Sequence, residues 1–309
     1  MLGLKQGLFA FTGVAIVLAL SSPGRADAPT KIAFGYGLTS DYLPAFIAKD
    51  NGFFAQHGLD VEMKAVTSSS LAPPALVSNS LQVSQATAPN LLLANDGGMD
   101  LVSVAGVGRL TAAHPHTSLV THPGFTITTP KDLIGKKIAV PGINSAMDLV
   151  LRKWLLDGNV KLDQVTIVEA PFQQMGDMLK SGQLDAAFQF EPLLSRILAA
   201  GSASKSLDIM SSTNPDVLGA IYASTREWAN AHRAAIVALN QALAEGIAFE
   251  KEHPDEAHKI EAKYIGYATP GLPDAKLDVT PEDFKFWADL CDEVGVLHRP
   301  VDAATLIFK

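Results

Sequence analysis

The stretch SGQLDAAFQFEPLL, Ser181 to Leu194, has a rhythm that the chain has already used once, in SNSLQVSQATAPNLL from Ser78 to Leu92. Laid over one another, the two regions pair Leu76 with Leu179, Ser78 with Ser181, Leu81 with Leu184, Pro89 with Pro192 and Leu91 with Leu194, without a gap. Upstream, KIAF at Lys31 meets KIAV at Lys137, Asn51-Gly52 meets Asp157-Gly158, and Leu59-Asp60 meets Leu162-Asp163 after a three-residue adjustment. A sustained offset marks a repeated structural unit. Two copies are too few for a solenoid, so the expectation is two similar lobes, each closing its own core.

Each copy reads in the same order. KIAFGYG is a short buried strand ending at glycine, TSDYLPAFIAKDNG a loop and helix, and GLDVEMKAV an alternating strand. TSSSLAPPALVSNS then gives a hydroxyl-rich turn and helix, LQVSQATAP a third strand, NLLLANDGG a helix and DLVSVAGVG a fourth strand. The second copy runs KIAV, PGINSAMDLVLRKWLLDG, VTIVEAP, FQQMGDMLKSG and LDAAFQF. Strand–helix alternation of this kind specifies an α/β fold built on parallel sheet covered on both faces. In the long helix of the second copy, Met147, Val150, Leu151, Trp154 and Leu155 share one face, and Ser145 with Asp148 has the spacing of a capping box.

From VLGAIYAST (Val217 to Thr225) onward the alternation stops and helices follow, too many for the second lobe alone. The expected architecture is therefore two Rossmann-like lobes joined by a two-strand hinge, with HTSLVTH and VLGAIYAST as the connecting strands. Lobe one comprises residues 29–117 and 222–309, and lobe two residues 118–221.

Length and composition bound the rest. A chain of 309 residues with 48% apolar side chains has ample material for two cores. Its start, MLGLKQG followed by LFAFTGVAIVLAL and SSPGRADAPT, reads as a secretory signal peptide over residues 1–26. The apolar run is shorter than a spanning helix needs. Cleavage after Ala26 is preferred to cleavage after Ala28, which would leave Pro29 at the new terminus. Cys291 is the only cysteine, so no intrachain disulfide forms and no lipid is attached at the signal exit. An exported, unlipidated chain of this kind is expected in a bacterial periplasm. Without the leader, 22 basic side chains face 32 acidic ones, which disfavours nucleic acid and anionic lipid as partners.

In an open parallel sheet, ligands bind beyond the carboxyl ends of the strands. Applied to both copies, that rule selects six loops: 37–42, 67–70 and 85–90 in lobe one, and 141–145, 170–174 and 189–192 in lobe two. The candidate ligand-binding residues are Thr39, Ser40, Asp41, Tyr42, Thr67, Ser68, Thr87, Ala88, Asn144, Ser145, Phe172, Gln189 and Glu191. Hydroxyls and amides at helix starts suit an anionic group, Asp41 and Glu191 would suit an ammonium or amino-heterocycle, and Tyr42, Phe172 and Phe190 would pack on an apolar or ring portion. Thr39, Ser40, Asn144 and Ser145 could equally be helix caps, a role compatible with ligand contact. Arg109 is weighed between countering an anion and lying on the surface. His114, His116 and His122 cluster in sequence, but an extended connection containing Pro115 scatters the rings, so no metal is expected. No G-x-S-x-G, Walker, H-E-x-x-H or Rossmann fingerprint is present, and neither catalytic residues nor a cofactor are expected.

DNGFFAQHGLDVEM (Asp50 to Met63), DLIGKKIAVPG (Asp132 to Gly142) and LKSGQLDAAFQFEP (Leu179 to Pro192) resemble, in order and spacing, the periplasmic solute-binding proteins of ABC importers, in the sulfonate, nitrate, taurine and thiamine-precursor group. The resemblance runs from about Lys31 to the C-terminal helices. It implies the type II periplasmic binding protein fold, a monomer that closes on a small-molecule solute and delivers it to ABC permease and ATPase subunits. The same fold also hosts a pyrimidine-precursor synthase of thiamine biosynthesis, which uses a cysteine-rich motif and a sacrificial histidine; one cysteine far from the cleft and a signal peptide count against that alternative. A thiamine-precursor binder and a ligand-sensing receptor subunit are the other readings.

Overall fold

The structure, a computed structural model, describes residues 28–111, 117–214, 216–269 and 271–309. The leader at residues 1–26, His114 and His116 lie outside the described residues. The first unit runs β1 (Thr30–Tyr36), α1 (Leu43–Asp50), α2 (Phe53–Gln56), β2 (Leu59–Ala65), α3 (Ala72–Val77), β3 (Val83–Ala86), α4 (Ala88–Asp96) and β4 (Leu101–Thr111). The second runs β5 (Thr117–Thr121), β6 (Lys137–Val140), α5 (Ala146–Asp157), β7 (Thr166–Glu169), α6 (Phe172–Lys180), β8 (Ala186–Phe190), α7 (Leu193–Ala199), β9 (Ser204–Leu207) and α8 (Ile209–Thr213). The chain then returns through β10 (Asp216–Thr225) to α9 (Arg226–Ala231), α10 (Arg233–Glu252), α11 (Pro254–Ile265) and α12 (Pro281–Glu293).

Two five-stranded sheets result, ordered β2-β1-β3-β10-β4 and β7-β6-β8-β5-β9. The first three strands of each are parallel, because each is reached through a crossover helix. The remaining pairings are antiparallel, so both sheets are mixed rather than wholly parallel. The cause lies in the connections: β5 and β10 each arrive from the other lobe and run against the strands they join. Each inserts at the fourth position, between the parallel triplet and the outermost strand. β10 pairs with β4 along its whole length, from Asp216 beside Thr111 to Thr225 beside Leu101, so the expected lobe boundary between residues 221 and 222 falls inside a strand of the first sheet.

Strand registers refine the repeat. Phe34 lies beside Met63 and Val83, and in the second sheet Ile138 lies beside Ile167 and Ala186. Ile138 thus occupies the place of Phe34, and KIAV sits two residues displaced from KIAF. An even displacement keeps each side chain on its original face, which is why the hydrophobic match survives it.

Helices cover both faces of both sheets. Met147, Val150, Leu151 and Leu155 of α5 are buried as the helical spacing predicts. α1 packs on α10, and their apolar faces form one core with β1, β2 and β4. α12 lies against both α4 and α5 and so spans the two lobes. Its fully buried Trp287 donates from Nε1 to the carbonyl of Leu218 at 3.0 Å, tying the helix to the returning strand. Among the described residues, no helix is long and apolar enough to cross a membrane.

Candidate functional site

The carboxyl ends of β1, β2, β3, β6, β7 and β8 point into the space between the two sheets, where their loops line a cleft. Residues from both lobes line it, including some from β4 and β10.

On the lobe-one side, the loop after β1 folds back so that the Tyr42 ring lies over Gly37; a Cβ on that glycine would fall 2.5 Å from the ring. Tyr42 Oη donates to Gln85 Oε1 at 3.0 Å, and both side chains are buried. Burial, with Asp41 and Tyr222 adding to it, pushes the Tyr42 hydroxyl well above its usual range, so it stays protonated and remains a donor. Thr39 Oγ1 donates to Asp41 Oδ2 at 3.1 Å, which turns the half-buried carboxylate towards the cleft. Thr87 caps α4 in a reciprocal box with Asn90, its Oγ1 donating to Asn90 Oδ1 at 2.7 Å. In the turn after β2, Ser68 Oγ pairs with Ser70 Oγ at 2.8 Å and accepts from the Ser70 amide.

The lobe-two side is built differently. Asn144 sits in the left-handed region at φ 59°, a conformation Asn tolerates, and its amide donates to Asp148 Oδ2 at 2.7 Å. The fully buried Asp148 also holds Arg152 Nε at 2.9 Å. The Ser145–Asp148 capping box read from spacing therefore does not form, because Asp148 serves the preceding amide instead. Ser145 Oγ is left without a hydrogen-bond partner although the residue is only 1% exposed. Ser69 Oγ, on the opposite wall, is buried and unpartnered as well. Phe172 and Phe190 pack edge to face at 5.3 Å and form the apolar floor.

The lobes touch directly around this cleft. Ser40 Oγ donates to the Glu191 carbonyl at 3.3 Å, Asn90 Nδ2 to the Asn144 carbonyl at 3.3 Å, and Ser70 Oγ to Glu169 Oε1 at 2.9 Å. Gly142 faces the serine turn so closely that a Cβ would stand 2.8 Å from Ser69 Oγ. The arrangement is a closed one.

Of the candidates named from sequence, Thr39, Asp41, Tyr42, Thr67, Ser68, Thr87, Ser145 and Phe172 line the cleft together. Ser40 and Asn144 lie one layer out, in the interlobe bonds just described. Ala88 is buried in the first turn of α4. Gln189 is fully buried, donating from Nε2 to the Phe172 carbonyl at 3.0 Å. The Glu191 carboxylate accepts from Ser195 Oγ at 2.8 Å and from the Ser195 amide, which directs it to the start of α7. Arg109 is engaged by Asp216 and Asp283 at 2.5 and 2.7 Å. His122 Nδ1 donates to the Pro123 carbonyl at 2.8 Å and its ring stacks on Phe125, and the described residues contain no group of three or more side chains able to hold a metal. Gly108, Leu110, Gly219 and Ala220 also line the cleft and come from β4 and β10. Sequence reasoning missed them because nothing in an apolar crossing strand marks which residues end up between the lobes. Among the described lining residues, Asp41 is the only charged one, and none is histidine, cysteine, lysine or arginine.

The family described as NMT1/THI5 like matches residues 39–257. A Brucella abortus protein named only as a binding protein is 26% identical over 258 residues, covering 82% of this chain and 78% of that one. The formylaminopyrimidine-binding protein of Halalkalibacterium halodurans is 27% identical over 141 residues, which is 46% of this chain and 41% of that protein. Among solved structures, the alkanesulfonate-binding protein SsuA of Xanthomonas axonopodis pv. citri, bound to MOPS, superposes with a TM-score of 0.78 at 19% identity over 92% of this chain and 99% of that one. The nitrate-binding protein NrtA of Synechocystis PCC 6803 gives 0.75 at 17% identity over 89% and 84%.

Proposed function

This chain belongs to the NMT1/THI5-like family, and from that premise we propose that it is the extracytoplasmic solute-binding component of an ABC importer. It captures a small solute between its lobes in the periplasm and hands it to permease and ATPase subunits. The observation that carries this reading is the pair of buried, unpartnered hydroxyls, Ser69 from lobe one and Ser145 from lobe two, in one interlobe cleft. Buried polar atoms ordinarily find a partner, so two that face one cavity mark where a ligand supplies it.

The lining also sets the chemistry of the solute. Ser69, Ser145 and the first amides of α5 suit an acceptor such as a sulfonate, carboxylate or ring nitrogen. Asp41 suits an ammonium or amino group, and Tyr42, Phe172 and Phe190 suit the apolar or planar part between them. A zwitterion of the aminosulfonate kind or an amino-heterocycle fits this set better than a bare inorganic anion, which would meet one carboxylate and no described cation. The lining offers hydroxyls without a histidine base, which supports capture rather than turnover.

Thermal denaturation across taurine, longer aminosulfonates, aminopyrimidines, nitrate and sulfate tests the proposal. A cognate solute at a hundred times its dissociation constant adds about 2.7 kcal/mol. Stabilisation by an amine-bearing solute, reduced by about 1 kcal/mol in Ser145→Ala, is the expected outcome. Stabilisation by nitrate or sulfate alone would refute the assignment of the lining.

A further inference from the structure

Of the three interlobe bonds around the cleft, one is made by a carboxylate. Glu169 ends β7, and its two oxygens accept from different lobes: Oε1 from Ser70 Oγ at 2.9 Å in lobe one, and Oε2 from the Ile143 amide at 3.0 Å in lobe two. Ser70 is in turn joined to Ser68, a lining residue, at 2.8 Å. Ile143 belongs to the turn that carries Gly142 and Ser145. A single exposed side chain on the cleft rim therefore ties the serine turn of one lobe to the α5 turn of the other, the two turns that hold the unpartnered hydroxyls.

We propose that Glu169 is a positioning residue: it latches the lobes together through Ser70 and biases the chain towards the closed arrangement before any solute arrives. The inference rests on the reading of the cleft as a clamp, but not on which solute enters it. When the lobes separate, the Ser70 contact must break, whereas the Ile143 contact, made within lobe two, persists. Glu169 therefore stays oriented for recapture, and each closure costs little extra ordering of that side chain. A carboxylate does this better than an amide, because both donors need an acceptor and a glutamine offers only one.

The test uses the full chain without added solute. Spin labels on Val77→Cys and Lys180→Cys, exposed positions at the ends of α3 and α6, report the distance between lobes. Native Cys291 is fully buried and its thiol is pushed up to about 12 by burial, so labelling stays on the introduced sites. Pulsed electron resonance should resolve a short-distance population whose ratio to the long one falls about fivefold in Glu169→Ala, the size of one hydrogen bond. Ser70→Ala should reproduce that fall, Glu169→Gln should lie between, and the Ser70→Ala/Glu169→Ala pair should fall no further than either alone. Identical distributions in wild type and Glu169→Ala would overturn the proposal, as would a wild type lacking the short distance. A shift in Glu169→Ala without one in Ser70→Ala would also overturn it, by reducing Glu169 to a brace within lobe two. Because no solute is added, a failed solute screen would count against importer function and leave this result standing.

Discussion

The two walls of the cleft descend from one repeated plan, yet they meet the polar groups at their helix starts in different ways. In lobe one, Tyr42 is bonded to Gln85, Thr39 to Asp41 and Thr87 to Asn90, so apart from the unpartnered Ser69 hydroxyl the wall is set before a solute enters. In lobe two, Asp148 is diverted to the Asn144 amide, and the Ser145 hydroxyl is left buried without a partner. The difference teaches that the helix-start residues of one wall are bonded within their own lobe, whereas the helix-start serine of the other is left, like Ser69 across the cleft, with a bonding demand that closure on a solute would satisfy. Substitutions at the bonded residues of lobe one should therefore register as folding stability, and substitutions at the unpartnered Ser145, as at Ser69, as affinity.

The largest departure should come from Tyr42→Ala. It removes a buried ring from the lobe-one core as well as the bond to Gln85, and about 3–5 kcal/mol of unfolding free energy should be lost in urea titrations. Next is Glu250, fully buried on α10 with neither carboxylate oxygen bonded. Burial raises its pKa from 4.5 to about 8, with Asp274 and Glu261 adding to the shift and Lys251 opposing it. Between those two values the folded chain keeps a proton that the unfolded chain has released, so stability falls as pH rises, by about 1.4 kcal/mol per unit for this group. Below 4.5 and above about 8 the group adds no further slope. Glu250→Gln should remove this share of the slope and raise stability near pH 7 by about 3 kcal/mol. Melts from pH 5 to 8 would show it, and an unchanged slope would mean that the carboxyl finds a partner.

Smaller effects sharpen the contrast. Gly142→Ala places a methyl against Ser69 and obstructs closure; about 1–3 kcal/mol of solute affinity should go, with unfolding unaltered. Ser145→Ala should cost about 1 kcal/mol of affinity by calorimetry and almost none of stability, since its hydroxyl bonds nothing in the protein. Thr87→Ala, its opposite number, should cost about 1 kcal/mol of stability through the lost α4 cap. If Ser145→Ala instead destabilised the fold as Thr87→Ala does, the two walls would not differ in the manner described.

Much of the architecture was legible because the repeat lies in the strands and in the turns that end them, where periodicity and Gly, Pro and Ser positions speak directly. The KIAF–KIAV match indicated equivalent strands although the sheets set them two residues apart, since an even slip preserves facing. The mixed sheet order was not legible. That β5 and β10 insert inside each sheet, rather than at its edge, follows from packing between segments about a hundred residues apart. For the same reason Gly108 and Gly219 gave no signal. Glu191 illustrates the opposite error, since a carboxylate beside proline at a strand end looks like a site residue. Ser195, four residues on, takes that carboxylate as a helix cap, a pairing that the E-x-x-x-S spacing allows but does not demand.

The central claim is that the molecule works by closing two lobes over a solute. Small-angle X-ray scattering with and without a solute that stabilises the chain tests it most directly. The solute-bound profile should match the closed arrangement described here, and the solute-free profile should show a larger radius of gyration. A saturating solute that leaves the profile unchanged, with both states equally compact or equally open, would contradict it.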